Sequence, residues 1–136
     1  KIKEYGVPIS RAFQIKDDIL DCVSTEDELG KTIGNDVLDG VKTSILWHFV
    51  QHASKEDLEK AKQIYLKERK NKTQADVEFM FECFKKYKSI EFAEQQTDDL
   101  AKESLEKFEK NSAYLKENEL KEMARQAITR MVKRKK

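Results

Sequence analysis

Apolar residues recur every three or four positions along nearly the whole chain, between Lys- and Glu-rich positions. No stretch alternates apolar and polar residues as a strand would. A first helix is predicted over residues 2–23. Pro8 removes a backbone donor there, which should kink the helix or move its start to near Ile9. Gly30, Gly34 and Gly40 then mark the only segment with loop character. A second helix is expected over 41–52, with Ile45, Leu46, Phe49 and Val50 as its apolar stripe. Ser54 with Asp57, and Thr73 with Asp76, have capping-box spacing, Asp standing in for the usual Glu, and should open a third and a fourth helix. The fourth carries Val77, Met80, Phe81 and Phe84. Two more are expected over 90–110 (Phe92, Leu100, Leu105, Phe108) and 118–134 (Leu120, Met123, Ala127, Ile128, Met131). The fold class predicted is all-α.

Composition agrees: 39% of residues are charged, with four Gly and one Pro in 136 residues, enough for one domain with a modest core. A net charge of +1 gives no general attraction to nucleic acid or an anionic membrane. No apolar run reaches the roughly 18 residues that a membrane span needs. Cys22 and Cys83 are isolated thiols, expected to be reduced in a cytoplasmic protein rather than joined in a disulfide.

One stretch carries charge at a spacing that helix solubility does not explain. Asp17, Asp18 and Asp21 fall within an arc of roughly 100° and a rise of about 6 Å on a helix. Three carboxylates so close repel one another unless a cation is present. A hard divalent ion suits them, and Mg²⁺ better than zinc: it takes carboxylate oxygen, keeps several waters and is commonly completed by phosphate, whereas zinc seeks Cys or His. Lys31 and Lys42 follow at short range and supply cations for a phosphate, so the segment reads as a magnesium–diphosphate site.

The extended string Phe13-Gln14-x-x-Asp17-Asp18-x-x-Asp21, then Gly30-Lys31, Gly34-x-Asp36 and Lys42-Thr43, resembles the second aspartate-rich region of the trans-isoprenyl (polyprenyl) diphosphate synthases, the farnesyl and geranylgeranyl diphosphate synthase family. The specific match covers roughly residues 5–44; the remainder agrees only as helix-rich sequence ending in a basic tail. The resemblance implies the C-terminal part of an isoprenoid-synthase-type helical bundle. In that reading the second motif is 13–21, the diphosphate loop 30–43, and the C-terminal helices and tail 44–136. It also implies Mg²⁺-dependent head-to-tail condensation of an allylic diphosphate with isopentenyl diphosphate. By position, Asp17 would bind Mg²⁺ directly, Asp18 and Asp21 would share coordination or orient its waters, and Asp36 would stand behind them. Lys31 would hold the allylic diphosphate, with Asp17 and Lys31 the chief catalytic residues. Lys42 would lie beside the acidic cluster or the phosphate, and Phe13 and Gln14 near the isopentenyl group. Arg130 and Arg134, in a tail that continues as 133–136, would contact diphosphate as part of a lid.

The family's first Asp-Asp-x-x-Asp motif is missing here; Asp98-Asp99 is followed by Lys102 and Glu103 and does not supply it. The expected partner is therefore an N-terminal half or subunit bearing that motif, in a homo- or hetero-oligomer, and the start at Lys1 fits a cut or processed chain. In the family, product length is set largely by residues just upstream of that first motif. The alternative is a non-catalytic helical subunit that regulates or stabilises a synthase; a stand-alone helical module without diphosphate chemistry is a third reading. Plainer readings apply elsewhere. His48 and His52 are expected as polar helix residues rather than a metal pair, and Trp47 as packing rather than a substrate platform. The basic tail could equally be a solvated helix end.

Overall fold

The computed structural model describes residues 2–23, 33–114 and 116–132, all in helices and short connections, with no strand among them. In chain order the helices are α1 (Ile2–Val23), α2 (Asn35–Asp39), α3 (Ser44–His52), α4 (Lys55–Leu66), α5 (Gln74–Lys86), α6 (Ser89–Ser112) and α7 (Glu119–Val132), with a 3₁₀ turn at Arg69–Asn71 between α4 and α5. They form two compact units, one of Lys1–Asp17 with Glu94–Lys136, the other of Asp18–Ala93; α1 and α6 contribute residues to both.

In the first unit α1 runs from Ile2 through Pro8, as the predicted range 2–23 has it and without the later start near Ile9. A proline inside a helix costs about 3 kcal/mol, and here packing offsets it. Ile9 and Ala12 are buried with Phe108 and Ile128, and Tyr5, Leu100, Ala101, Leu105 and Ala124 pack around them. The Tyr5 ring meets Phe108 edge-on with centroids 5.4 Å apart, and the buried Ser104 hydroxyl donates to the Tyr5 carbonyl at 2.6 Å. Around α7, Arg125 bonds Glu109, Glu117 and Glu122. These bonds draw the Glu117 carboxyl down to about 2, with Arg125 the first cause and Lys121 the next. The α7 stripe differs from expectation: Ile128 is buried, but Leu120 and Met123 stand 74% and 57% exposed. Met123 turns about 100° or more away from the inward pair Ala124 and Ile128, whereas Leu120, in line with that pair, lies in the first turn of the helix and outside the packed cluster.

The second unit is centred on α5, which packs with α2, α3 and α4. Val77, Met80, Cys83 and Phe84 are buried on its inner face, as are Ile45 and Phe49 of α3 and Ala61 and Ile64 of α4. Thr73 and Asp76 form the expected capping box. Ser54 caps α4 by accepting from the Asp57 N–H, but the Asp57 carboxylate turns elsewhere, accepting from Lys86 at 2.7 Å and from the Tyr87 hydroxyl at 2.6 Å. Cys22 and Cys83 are both buried, and neither is in a disulfide.

One helix start and one short helix differ from expectation. The helix expected from residue 41 begins at Ser44, because Thr43 takes the N-cap and accepts from Leu46 N–H. The preceding glycine-marked segment is not all loop but holds the five-residue α2, framed by Gly34 at φ 74° and Gly40 at φ 70°. Both glycines adopt the left-handed conformation that side chains resist.

Candidate functional site

α1 is continuous through Asp17, Asp18 and Asp21, so the acidic triplet lies on a regular helix. The three side chains nevertheless meet different surroundings. Asp17, in the first unit, is exposed, and Asp18 is half-buried. Asp21 is 3% exposed, and its two oxygens accept backbone N–H bonds from Asn35 at 3.3 Å and Asp36 at 3.0 Å. Its own carbonyl accepts from Gly34 N–H at 3.1 Å.

This arrangement explains why α2 exists at all. A five-residue helix is too short to be stable alone, and Gly34 offers no side-chain cap. The Asp21 carboxylate, from the preceding helix, takes that role and adds a negative charge where the first N–H groups of α2 converge. At the other end the Gly40 N–H bonds the Val37 carbonyl and the Val41 N–H bonds the Asp36 carbonyl, closing the helix. Gly34 is required for a second reason: a Cβ there would lie 2.4 Å from Val77 Cγ1.

The carboxylates also share a field. The Cys22 thiol is pushed up to about 12, first by burial and then by Asp21, Asp36 and Asp18 together. Burial likewise raises the Tyr65 phenol, helped by Cys22, Asp36 and Asp21. Cys22 is thus a neutral thiol in an acidic neighbourhood and offers no thiolate to a soft metal. The donors available are carboxylate oxygens, which suit Mg²⁺. Among the described residues, however, no three His, Cys, Asp or Glu side chains come together closely enough to hold a metal ion unaided. A hard cation that keeps its waters and takes phosphate oxygens fits such a partial donor set; a fully caged ion does not.

The remaining expected residues lie apart. Lys42 is exposed at the mouth of a cleft of about 500 Å³ between α3 and α4, which Leu46, Val50, Leu58 and Tyr65 also line. Phe13 is half-buried and Gln14 exposed on α1, Gln14 beside a shallow hollow with Ser10 and Arg11. Arg130 is exposed on α7 in the first unit. Lys31 and Arg134, with the rest of the basic tail, lie outside the described residues.

Sequence reasoning passed over Arg69 and Lys72. Arg69 bonds the Asn35 side-chain oxygen at 3.0 Å and the Asp39 carboxylate, and Lys72 Nζ donates to the Val37 carbonyl at 2.7 Å. No spacing signal links residues 69–72 to 35–39; only the tertiary fold brings them together. The histidines are ordered more than expected of plain polar residues. Their rings stack 4.1 Å apart, His52 Nδ1 donates to the His48 carbonyl at 2.8 Å, and His48 lies on the Phe92 ring at 4.3 Å with Nδ1 3.1 Å from Ser89 Oγ. Trp47, expected to pack, is 55% exposed and meets Phe92 only along one side.

Residues 1–84 match the polyprenyl synthetase family model. The chain is 36% identical over 115 residues to a short chain isoprenyl diphosphate synthase of Methanothermobacter thermautotrophicus, covering 82% of this chain and 34% of that protein. Over 107 residues it is 32% identical to a geranylgeranyl diphosphate synthase of Saccharolobus solfataricus, covering 66% and 30% of the two chains. A 55-residue stretch is 44% identical to heptaprenyl diphosphate synthase component 2 of Bacillus subtilis, covering 40% of this chain and 16% of that one. The fold superposes on geranylgeranyl pyrophosphate synthetase from Pyrococcus horikoshii with a TM-score of 0.82 and 30% identity, over 98% of this chain and 38% of that one. The chain spans about a third of the length of these longer relatives. Over that third, the all-α fold agrees with the same assignment: the chain belongs to the polyprenyl synthetase family, the trans-isoprenyl diphosphate synthases.

Proposed function

We propose that this chain supplies the second aspartate-rich half of a prenyl-transfer site, condensing an allylic diphosphate with isopentenyl diphosphate. Residues beyond this chain, in an N-terminal half or a separate subunit, would supply the first motif. The observation that carries this reading is the bond by which buried Asp21, of the acidic string on α1, holds the helix that presents Asp36, in a chain of this family. The name of the Bacillus relative, component 2 of a synthase, supports the view that such chains can work beside another polypeptide.

In the reaction, the allylic carbon–oxygen bond breaks and pyrophosphate leaves with the bonding pair. The isopentenyl double bond attacks the resulting allylic cation, and a proton is lost to restore a double bond. Charge separation sets the barrier, so fixed charges aimed at the leaving group should contribute most. Asp17 and Asp18 would hold Mg²⁺, with Asp21 sharing that task while it caps α2 and Asp36 standing behind them. When bound, the ion would neutralise the diphosphate and stabilise the charge that develops on it. Lys31 and Lys42 would hold diphosphate oxygens as mobile point charges. Phe13 and Gln14 would border the isopentenyl group, and Arg130 with Arg134 would contact diphosphate from the C-terminal end. Asp17, exposed and serving no cap, is the triplet member whose substitution tests chemistry without disturbing the fold.

The test is Mg²⁺-dependent transfer from labelled isopentenyl diphosphate by this chain together with the polypeptide bearing the first motif. Asp17→Asn should lower turnover by about two orders of magnitude or more. Turnover unchanged by Asp17→Asn would refute the metal role. Assembly without any transfer would instead favour a regulatory subunit.

A further inference from the structure

The short helix that presents Asp36, and the turn that leads from it to Lys42, are held from outside their own sequence. At the start of α2 the hold is Asp21, already described. Along its flank, Arg69 bonds both Asn35 and Asp39, four residues apart and so on one face of the helix. At its end, Lys72 Nζ donates to the Val37 carbonyl at 2.7 Å and lies 5.2 Å over the Tyr65 ring. The same nitrogen sits 3.5 Å from where a Gly40 Cβ would be, so it packs directly on the turn. These two cations belong to one tight segment: the Lys72 N–H closes the 3₁₀ turn on the Arg69 carbonyl at 3.2 Å. The Lys72 ammonium is partly desolvated, which lowers its pKa, while Asp39 and Asp76 favour the charged form. A lysine placed for solubility alone would have no reason to leave water for a backbone carbonyl.

We propose that Lys72, assisted by Arg69, is a positioning residue that fixes α2 and the Gly40 turn, and thereby the spacing of Asp36 and Lys42 that diphosphate binding uses. The proposal rests on the magnesium–diphosphate reading above. Without Lys72 the Val37 carbonyl keeps only the Gly40 N–H, the turn loses its tie to a distant segment, and α2, with only five residues, has little intrinsic stability to replace it.

Two readouts test this: amide hydrogen exchange on the chain, and Mg²⁺-dependent affinity for inorganic pyrophosphate in the enzyme assembled with its completing polypeptide. Lys72→Met should quicken exchange at Leu38, Gly40 and Val41, whose N–H groups close α2, and weaken pyrophosphate about tenfold, the scale of one charged hydrogen bond. Protection in α5 should be retained. Lys72→Arg, which can still reach the carbonyl, should restore both. Asp17→Asn should weaken pyrophosphate and leave exchange in α2 unchanged. Unaltered exchange in Lys72→Met overturns the proposal. So does faster exchange with full pyrophosphate affinity, provided that Asp17→Asn lowers that affinity. If neither variant alters pyrophosphate binding, the diphosphate reading falls and the proposal with it. Should Lys72→Met lose protection in α5 as well, Arg69→Met, which cuts only the exposed ties to Asn35 and Asp39, takes its place with the same criteria.

Discussion

The carboxylate of Asp21 accepts the backbone N–H of Asp36 at 3.0 Å, so one aspartate of the acidic string holds the helix that presents another. Asp21 therefore serves the fold whatever else it binds. Asp21→Ala should destabilise the chain by about 1–3 kcal/mol, the range for stranding buried donors, while Asp17→Asn should change stability by no more than about 0.5 kcal/mol. Urea unfolding of the two variants measures the contrast.

Gly34 should tolerate no side chain. A left-handed residue with a Cβ costs about 1–2 kcal/mol, and forcing Val77 aside from 2.4 Å adds an overpacking cost of about 1–3 kcal/mol. Gly34→Ala should thus lose about 2–5 kcal/mol by the same measurement. Adding Val77→Ala should recover the steric part and not the conformational part, which a double-mutant cycle separates.

Stability should fall in mild acid because of His48. Burial, and then the neighbouring His52, lower its pKa below the ordinary 6.5. The unfolded chain consequently binds a proton that the folded chain refuses. This contribution is fully present above about pH 6.5 and is lost as pH falls from there through the lowered folded value. Melting temperatures followed downward from pH 8 should drop across that window, and His48→Gln should flatten the drop. An equal drop in His48→Gln would remove His48 as its source.

Both cysteines should resist alkylation in the native protein. Cys22 is buried and its thiol is pushed up to about 12; Cys83 is buried and also raised. The thiolate is the reactive form, so iodoacetamide at pH 8 should label neither until urea is added. Rapid native labelling of Cys22 would show that the end of α1 opens.

Periodicity was enough to find the six longer helices, since their apolar residues and caps are local properties: Thr73 with Asp76 and Val77 with Met80 and Phe84 are all within one or two turns. α2 was hidden because its cap, Asp21, lies 14 residues upstream of Asn35 and its flanking cations more than 30 residues downstream. The acidic string was legible by spacing, but the division of labour within it was not, because burial of Asp21 and exposure of Asp17 follow from tertiary packing. Trp47 and Met123 were assigned inward on residue type, whereas helical phase turns them outward, and Leu120 is left exposed because it falls in the first turn of α7.

The chain contains one tryptophan, and Trp47 borders the ring of Phe92 one residue before the stacked His48. It is therefore a built-in optical probe. Its emission arises from a single site, half open to solvent, where a neighbouring imidazole that gains a proton can quench it. Fluorescence without any attached dye would report the opening of the α3–α6 contact during unfolding, and the burial of that surface by any polypeptide that comes to cover it.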